Sequence, residues 1–239
     1  MWRFIVSFVF VASLARDSVA QSGDQSLSVA LRGSYTTSSK VFYNPESPSP
    51  DIRSRYLALD NIYGGGLEIR FQDFADNYFI ALSVELLSRF EDGRQVIAFG
   101  NPPRSLPISE GYRLVPIELG ANMFIPLGSQ RLRLAMGGGL GAYYARRIFA
   151  VANVDAQQVN NPVSFGIHVE SSFDYRVLDG LAVRAEMRFR DPEVTTESKF
   201  QETKVDYDGS LVTFPQDAFK TKININGLSF SIGLAVDLF

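Results

Sequence analysis

The sequence predicts an all-β chain: one eight-stranded antiparallel up-and-down barrel that crosses a lipid bilayer, preceded by a cleaved leader. Three observations carry this. Hydrophobicity alternates with a period of two over eight segments, the pattern of strands with one apolar face. No stretch after residue 20 approaches the roughly 18 consecutive apolar residues that a membrane helix needs, so any crossing is made by strands. The connections between segments alternate short and long, as they do when every second turn lies on the same side of a membrane.

The leader comes first. Met1, Trp2 and Arg3 make a short positive start, followed by the apolar run FIVSFVFVASL over residues 4 to 14. Ser18, Val19 and Ala20 then supply a small-x-small cleavage site, the order of features that marks an export signal. Cleavage is expected between Ala20 and Gln21, leaving residues 1–20 as signal peptide and residues 21–239 as the barrel domain.

The eight segments follow in order. Residues 26 to 36 put Leu27, Val29, Leu31, Gly33 and Tyr35 on one face and Arg32 on the other; residues 62 to 72 oppose Tyr63, Leu67, Ile69 and Phe71 to Glu68 and Arg70. Residues 78 to 90 set Tyr78, Ile80, Leu82, Val84, Leu86 and Phe90 against Glu85 and Arg89. Residues 112 to 125 set Val115, Ile117, Leu119, Met123 and Ile125 against Glu118 and Asn122. Residues 131 to 145 oppose Leu132, Leu134, Met136, Leu140 and Tyr144 to Arg133, Gly137, Gly139 and Gly141. Residues 163 to 176 oppose Phe165, Ile167, Val169, Phe173 and Tyr175 to His168, Glu170 and Asp174. Residues 181 to 190 alternate Leu181, Val183, Ala185, Met187 and Phe189 with Arg184, Glu186 and Arg188. Residues 223 to 238 alternate Leu228, Phe230, Ile232, Leu234, Val236 and Leu238 with Ser229, Ser231, Gly233 and Asp237. Each segment meets the roughly 9 to 11 residues that a tilted membrane strand requires.

The charges decide which face meets lipid. Arg32, Arg70, Arg89, Arg133, Arg184 and Arg188 share the non-apolar faces with Glu68, Glu85, Glu118, Glu170, Asp174, Glu186 and Asp237, and the apolar faces carry no charge. An arginine turned to lipid costs about 2 to 4 kcal/mol at the midplane, whereas a soluble sandwich keeps charge outside and apolar residues within. The ionised face is therefore expected inside. An eight-stranded barrel is just wide enough for side chains to fill, so Arg32, Glu68, Arg70, Glu85, Glu118, His168, Glu170, Asp174, Arg184, Glu186 and Arg188 are expected to form a packed charge network in the lumen. The glycines Gly66, Gly120, Gly137, Gly139, Gly141, Gly166 and Gly233 are expected to make room for Arg184 and Arg188.

Residues 72 to 77, 126 to 130 and 177 to 180 read as short turns, and residues 37 to 61, 91 to 111, 146 to 162 and 191 to 222 as long outer loops, the second of which carries Val96, Ile97 and Phe99, expected to continue as strand above the membrane. Aromatic rings prefer the headgroup level. Tyr35, Tyr63, Phe90, Tyr112, Tyr144, Phe165 and Phe189 are expected at the outer rim, and Phe71, Tyr78, Phe124, Phe173, Tyr175 and Phe239 at the inner one. Within the last loop, Asp208-Gly209 between short alternating runs predicts a hairpin.

The absence of cysteine removes disulfide frameworks, thiolate metal sites and cysteine nucleophiles. A net charge of −3 without a clustered basic face argues against nucleic acid as a partner. His168 and Glu170 share a face, but two ligands on one strand do not complete a metal shell and no second histidine exists. Neither a cofactor, a metal nor a catalytic residue is expected. Glu170 and Asp174 stand among arginines, which favours salt bridging over acid-base work.

The segments AMGGGLGAYYARR (135 to 147), FGIHVESSFDYRV (165 to 177) and LSFSIGLAVDLF (228 to 239) resemble the outer membrane protein beta-barrel domain family, small barrels similar to OmpX and the OmpA transmembrane domain. The resemblance spans nearly all of residues 21–239. It implies residence in the bacterial outer membrane among its lipids, and insertion by the barrel-assembly machinery, which reads a terminal aromatic residue here matched by Phe239. Phe239 lies on the opposite parity from Leu234, Val236 and Leu238, a departure that a bulge would reconcile. The expected role is structural or interactive, with outer loops serving envelope integrity, adhesion or capture of an external ligand. The alternatives are an outer-membrane enzyme acting on lipids or peptides, a narrow channel, and a secreted soluble barrel with an apolar lumen.

Overall fold

The computed structural model describes residues 27–75, 77–98, 104–129 and 131–238. The expected leader, its cleavage site at Ala20 and Gln21, and Phe239 lie outside the described residues.

The chain is all-β and antiparallel. β1 (Leu27–Phe42) is followed by a single helical turn, α1 (Pro50–Arg53), and then by four long strands, β2 (Tyr56–Ala75), β3 (Tyr78–Ala98), β4 (Arg104–Ile125) and β5 (Leu132–Val151). The remaining crossings are broken in two. β6 (Val154–Gln158) precedes β7 (Val163–Leu178), β8 (Leu181–Arg190) precedes β9 (Glu193–Phe200), and β12 (Phe219–Asn224) precedes β13 (Leu228–Asp237). Asp191-Pro192 separates β8 from β9, where proline cannot donate to a ladder. β10 (Lys204–Tyr207) and β11 (Ser210–Thr213) form a separate hairpin turned by Asp208 and Gly209, both at positive φ.

Pairing runs β1–β2–β3–β4–β5–β7–β8–β13 and returns from β13 to β1, with Val29 opposite both Ile69 and Val236. A second circuit shares β1 to β5 and substitutes β6, β9 and β12, returning from β12 to β1 at Val41 and Ile223. The strands thus continue upward as an extension of the same eight-membered ring. β3, with 21 residues, measures about 70 Å at ~3.3 Å per residue, far more than a roughly 25 Å apolar band requires.

This corrects the loop expectation. Most of residues 91–111, 146–162 and 191–222 and about half of residues 37–61 is strand, and the turn between β5 and β6 is only Ala152-Asn153. The three turns at the other end are short, as the sequence predicts.

Outside and inside are inverted relative to a soluble protein. Phe165, Ile167 and Leu140 are 81%, 71% and 70% exposed, while Arg70 and Arg190 are 1% exposed. The apolar exterior occupies the lower circuit. Above it the outward positions become polar: Lys40 lies beyond Tyr35 on β1, and Arg146 beyond Tyr144 on β5.

Candidate functional site

The inward residues of β4 and β5 give the order of layers along the lumen. From the end with short turns upward, β4 contributes Phe124, Asn122, Glu118, Leu114, Tyr112 and Glu110, while β5 contributes Ala135, Gly139, Tyr143, Ala145, Arg147 and Phe149. Four layers result: an aromatic floor, a charge network, an apolar plug and a capped upper chamber.

In the floor, Phe79 and Phe124 pack with centroids 4.7 Å apart, beside Ala81 and Ala135. Arg70 stacks over Phe79 at 4.6 Å, a cation-π contact that favours a desolvated guanidinium. Phe124 therefore faces inward, a correction to its expected place in the inner girdle. It shares the parity of Glu118 and Asn122, which the register obeys regardless of residue type.

The charge network joins six strands. Glu68 on β2 receives Arg32 at 2.8 Å, Arg70 at 2.6 Å and Arg184 at 2.9 Å. Asp174 on β7 pairs with Arg184 at 2.8 Å and Arg70 at 3.3 Å. Glu186 on β8 pairs with Arg32 at 2.8 Å and Arg188 at 2.6 Å. Arg188 also contacts Glu118 and Glu170, and Arg190 reaches Glu85 at 2.8 Å and Glu118 at 3.6 Å. Nearly every member is buried. Buried charges are tolerable when each is paired and hydrogen-bonded, and removing one partner is what costs heavily.

Glu68, Glu170 and Glu186 bring three carboxylate oxygens within 4.8 Å of one another, a spacing compatible with a metal ion. Arg32, Arg70, Arg184 and Arg188 already occupy those oxygens. The guanidiniums supply the positive charge that a cation would bring, so the donor set does not fit a metal.

His168 lies in the lumen, buried, opposite Gly139 and Arg190 in the ladder. A Cβ on Gly120 would come within 3.2 Å of its Nε2, and a Cβ on Gly139 within 2.0 Å of the Leu119 carbonyl. The inward glycines thus admit His168 and close approach of β4 and β5. Gly233 stands directly opposite Arg184 in the ladder, beside one of the two arginines that the glycines are expected to accommodate. Arg89 and Arg133 stand apart from the network: Arg89 pairs with Glu91 at 2.6 Å, and Arg133 donates to Gln72 at 3.4 Å.

Above the charges, Val41, Leu59, Ile62, Leu87, Tyr112, Leu114, Tyr143, Ala145, Val194, Ile223 and Ile225 form one apolar cluster. Tyr112 is fully buried in it and donates to Ser39 Oγ at 2.8 Å, so it does not belong to the outer girdle. Tyr143 links the layers by donating to Glu118 at 2.8 Å.

Higher still, Arg147 pairs with Glu110 at 2.8 Å, hydrogen-bonds Thr221, and stacks over Phe149 at 4.4 Å. Burial pushes this guanidinium below its ordinary pKa, with the Glu110 carboxylate opposing. Phe149, Phe200, Phe214 and Phe219 cap the chamber, with Val205 and Val212 of the β10–β11 hairpin packed against them.

Arg190, Arg147 and Glu110 are absent from the residues that sequence patterning points to. Arg190 continues the parity of Arg184, Glu186 and Arg188, which is the signal that finds it. Arg147 and Glu110 fall in segments that read as loop.

No family model matches the chain, and no curated protein matches it by sequence. Solved structures do. The outer membrane protein OprG from Pseudomonas aeruginosa matches with a TM-score of 0.54 at 14% identity, over 88% of this chain and 94% of that one. The outer membrane protease OmpT from Escherichia coli matches with a TM-score of 0.48 at 8% identity, over 92% and 99%. Neisserial surface protein A matches with a TM-score of 0.47 at 10% identity, over 88% and 96%. With its continuous antiparallel pairing, apolar exterior and likeness to OprG, the chain has the fold of the small bacterial outer-membrane β-barrels.

Proposed function

We propose that the chain is an eight-stranded transmembrane barrel of the bacterial outer membrane with a structural or interactive role, exported behind a signal peptide cleaved between Ala20 and Gln21. The reading rests above all on the inverted distribution of Phe165, Ile167 and Leu140 outside and the paired arginines and carboxylates inside. Burying that many charges while exposing that much hydrocarbon is untenable in water, where large exposed apolar patches drive association, and favourable in a bilayer. Outer-membrane lipids are then its solvent, and the barrel-assembly machinery its partner in biogenesis, with Phe239 as the assembly signal.

The lumen charge network serves as a structural core. Its side chains, the apolar plug and the aromatic cap fill the interior in succession, which speaks against a conducting pore. His168 sits beneath that plug, an unfavourable position for catalysis on an external substrate. Interaction is assigned to the upper extension. There the β10–β11 hairpin carries an exposed Leu211, and Lys40 and Lys222 lie over the rings of Tyr56 and Phe42.

The test is gel migration of detergent-purified protein with and without boiling. The proposal predicts a folded band that migrates differently until boiled. An unchanged band from protein that partitions into buffer without detergent would overturn it.

A further inference from the structure

We propose that a groove on the outer wall, at the head of β4, β5 and β6, binds a phosphate group through Arg113 and Arg146. The groove encloses about 590 Å³ and is lined by these two arginines together with Tyr144, Asp155, Gln157, Gln158 and Asn161. It arises from a break in the wall. β5 pairs with β7 up to Tyr144 opposite Val163, and with β6 only at Ala150 and Val151. Between these points β6 leaves β5 for β9. The Gln158 side chain stands in for the missing strand, accepting from Arg147 N at 3.0 Å and donating to the Ala145 carbonyl at 3.2 Å.

Arg113 and Arg146 are direct cross-strand partners, and both side chains point outward. Like charges opposite one another destabilise a sheet. Among the described residues neither arginine has an ion pair to offset this. The groove's one carboxylate, Asp155, leaves an excess of positive charge, and Arg147 is already engaged by Glu110 inside the chamber. A phosphate between the two guanidiniums relieves their repulsion and accepts paired hydrogen bonds, the geometry that arginine offers best. The amide groups of Gln157 and Asn161 provide further donors.

The height of the site suggests the source. The next outward pair below Arg113 and Arg146 is Val115 and Tyr144, at the upper margin of the apolar belt. The arginines therefore lie one step above hydrocarbon, where lipid phosphates sit. This assignment to a lipid rests on the membrane placement proposed above; phosphate recognition itself does not, since a free phosphate compound offers the same chemistry.

The experiment uses the folded full-length mature chain in detergent, titrated with bis-phosphorylated lipid A, with dephosphorylated lipid A and with inorganic phosphate, and read by native mass spectrometry. Wild type is expected to bind the phosphorylated lipid at least roughly tenfold more tightly than R113Q/R146Q, because the variant cannot make the two charge-assisted hydrogen bonds. The dephosphorylated lipid should not distinguish them. Inorganic phosphate that binds alone with the same arginine dependence identifies a soluble ligand; lipid binding that resists excess phosphate identifies the headgroup. Equal affinity of wild type and variant for every phosphate probe overturns the proposal. The boiling-dependent gel shift of each sample separates this failure from a failure of the membrane reading. Should R113Q/R146Q not fold, R113Q alone must weaken binding, and unchanged affinity there overturns the proposal equally.

Discussion

Arg190 donates from Nη2 to Glu85 Oε2 at 2.8 Å although their strands, β8 and β3, stand four places apart in an eight-membered ring. No two strands of the ring are farther apart. A contact between opposite walls means that the lumen is bridged by its own side chains, and Arg188 repeats the bridge by donating to Ser83 at 3.0 Å.

It follows that the purified protein will not conduct. Planar-bilayer recordings should show no stable openings, and R188A/R190A should remain silent as well, because Leu59, Leu87, Tyr112 and Leu114 close the lumen above the charges. Discrete, reproducible openings in wild type contradict the sealed interior.

Glu68 is the hub of the network, and its loss leaves Arg32, Arg70 and Arg184 short of a counter-charge. Glu68→Gln should destabilise the folded barrel by about 3 to 5 kcal/mol, as expected when one partner of a buried charge cluster is removed. The exposed pair of Glu193 with Lys222 gives the contrast: Glu193→Gln should change stability by less than about 1 kcal/mol. Urea unfolding in micelles, followed by gel shift, measures both.

The apolar plug makes a different demand. Leu114→Ala removes a fully buried side chain from a packed cluster and should cost about 2 to 5 kcal/mol. This is a cost typical of a soluble core. It distinguishes a packed upper chamber from a water-filled vestibule, in which the same substitution would have little effect on the urea midpoint.

Close approach of β4 and β5 predicts that Gly139→Ala is not neutral. The added Cβ would fall 2.0 Å from the Leu119 carbonyl, so the backbone must move. A loss of about 1 to 3 kcal/mol is expected, the usual range for overpacking, whereas Gly33→Ala meets nothing within 4 Å and should be tolerated.

The lower half of the molecule is legible in the sequence because one rule governs it: alternate residues meet lipid or charge. That rule locates Glu68, Arg70, Glu118, Asp174, Arg184 and Arg188 on inward faces, and Leu140, Phe165 and Ile167 on outward ones. Carried two residues further, it finds Arg190. It fails for Tyr112 and Phe124 only where residue type is allowed to override parity.

Beyond the Asp208-Gly209 hairpin and the strand at Val96 and Ile97, the upper half is not legible, for a physical reason. Above the belt the surroundings are water, so Leu59, Leu114 and Ala145 turn inward while Asp60, Arg113 and Arg146 turn outward, and the sense of the alternation reverses. Irregularities compound this. The pairing of β1 with β2 skips Thr37 and Asn61, the latter at φ 58°, and the pairing of β3 with β4 shifts between Glu91 and Arg94. On β1 the inward parity passes from Ser34 and Thr36 to Ser39 and Val41 with the register unchanged, whereas the shift in β3 is a bulge, whose extra residue turns the parity over.

The claim on which the rest depends is that Leu140 looks into hydrocarbon. The sequence has one tryptophan, Trp2, in the expected leader, so L140W in the mature chain reports a single site. In lipid vesicles its emission should be blue-shifted, quenched by brominated acyl chains and insensitive to aqueous iodide. Strong iodide quenching without bromolipid quenching would place that face in water and contradict the account.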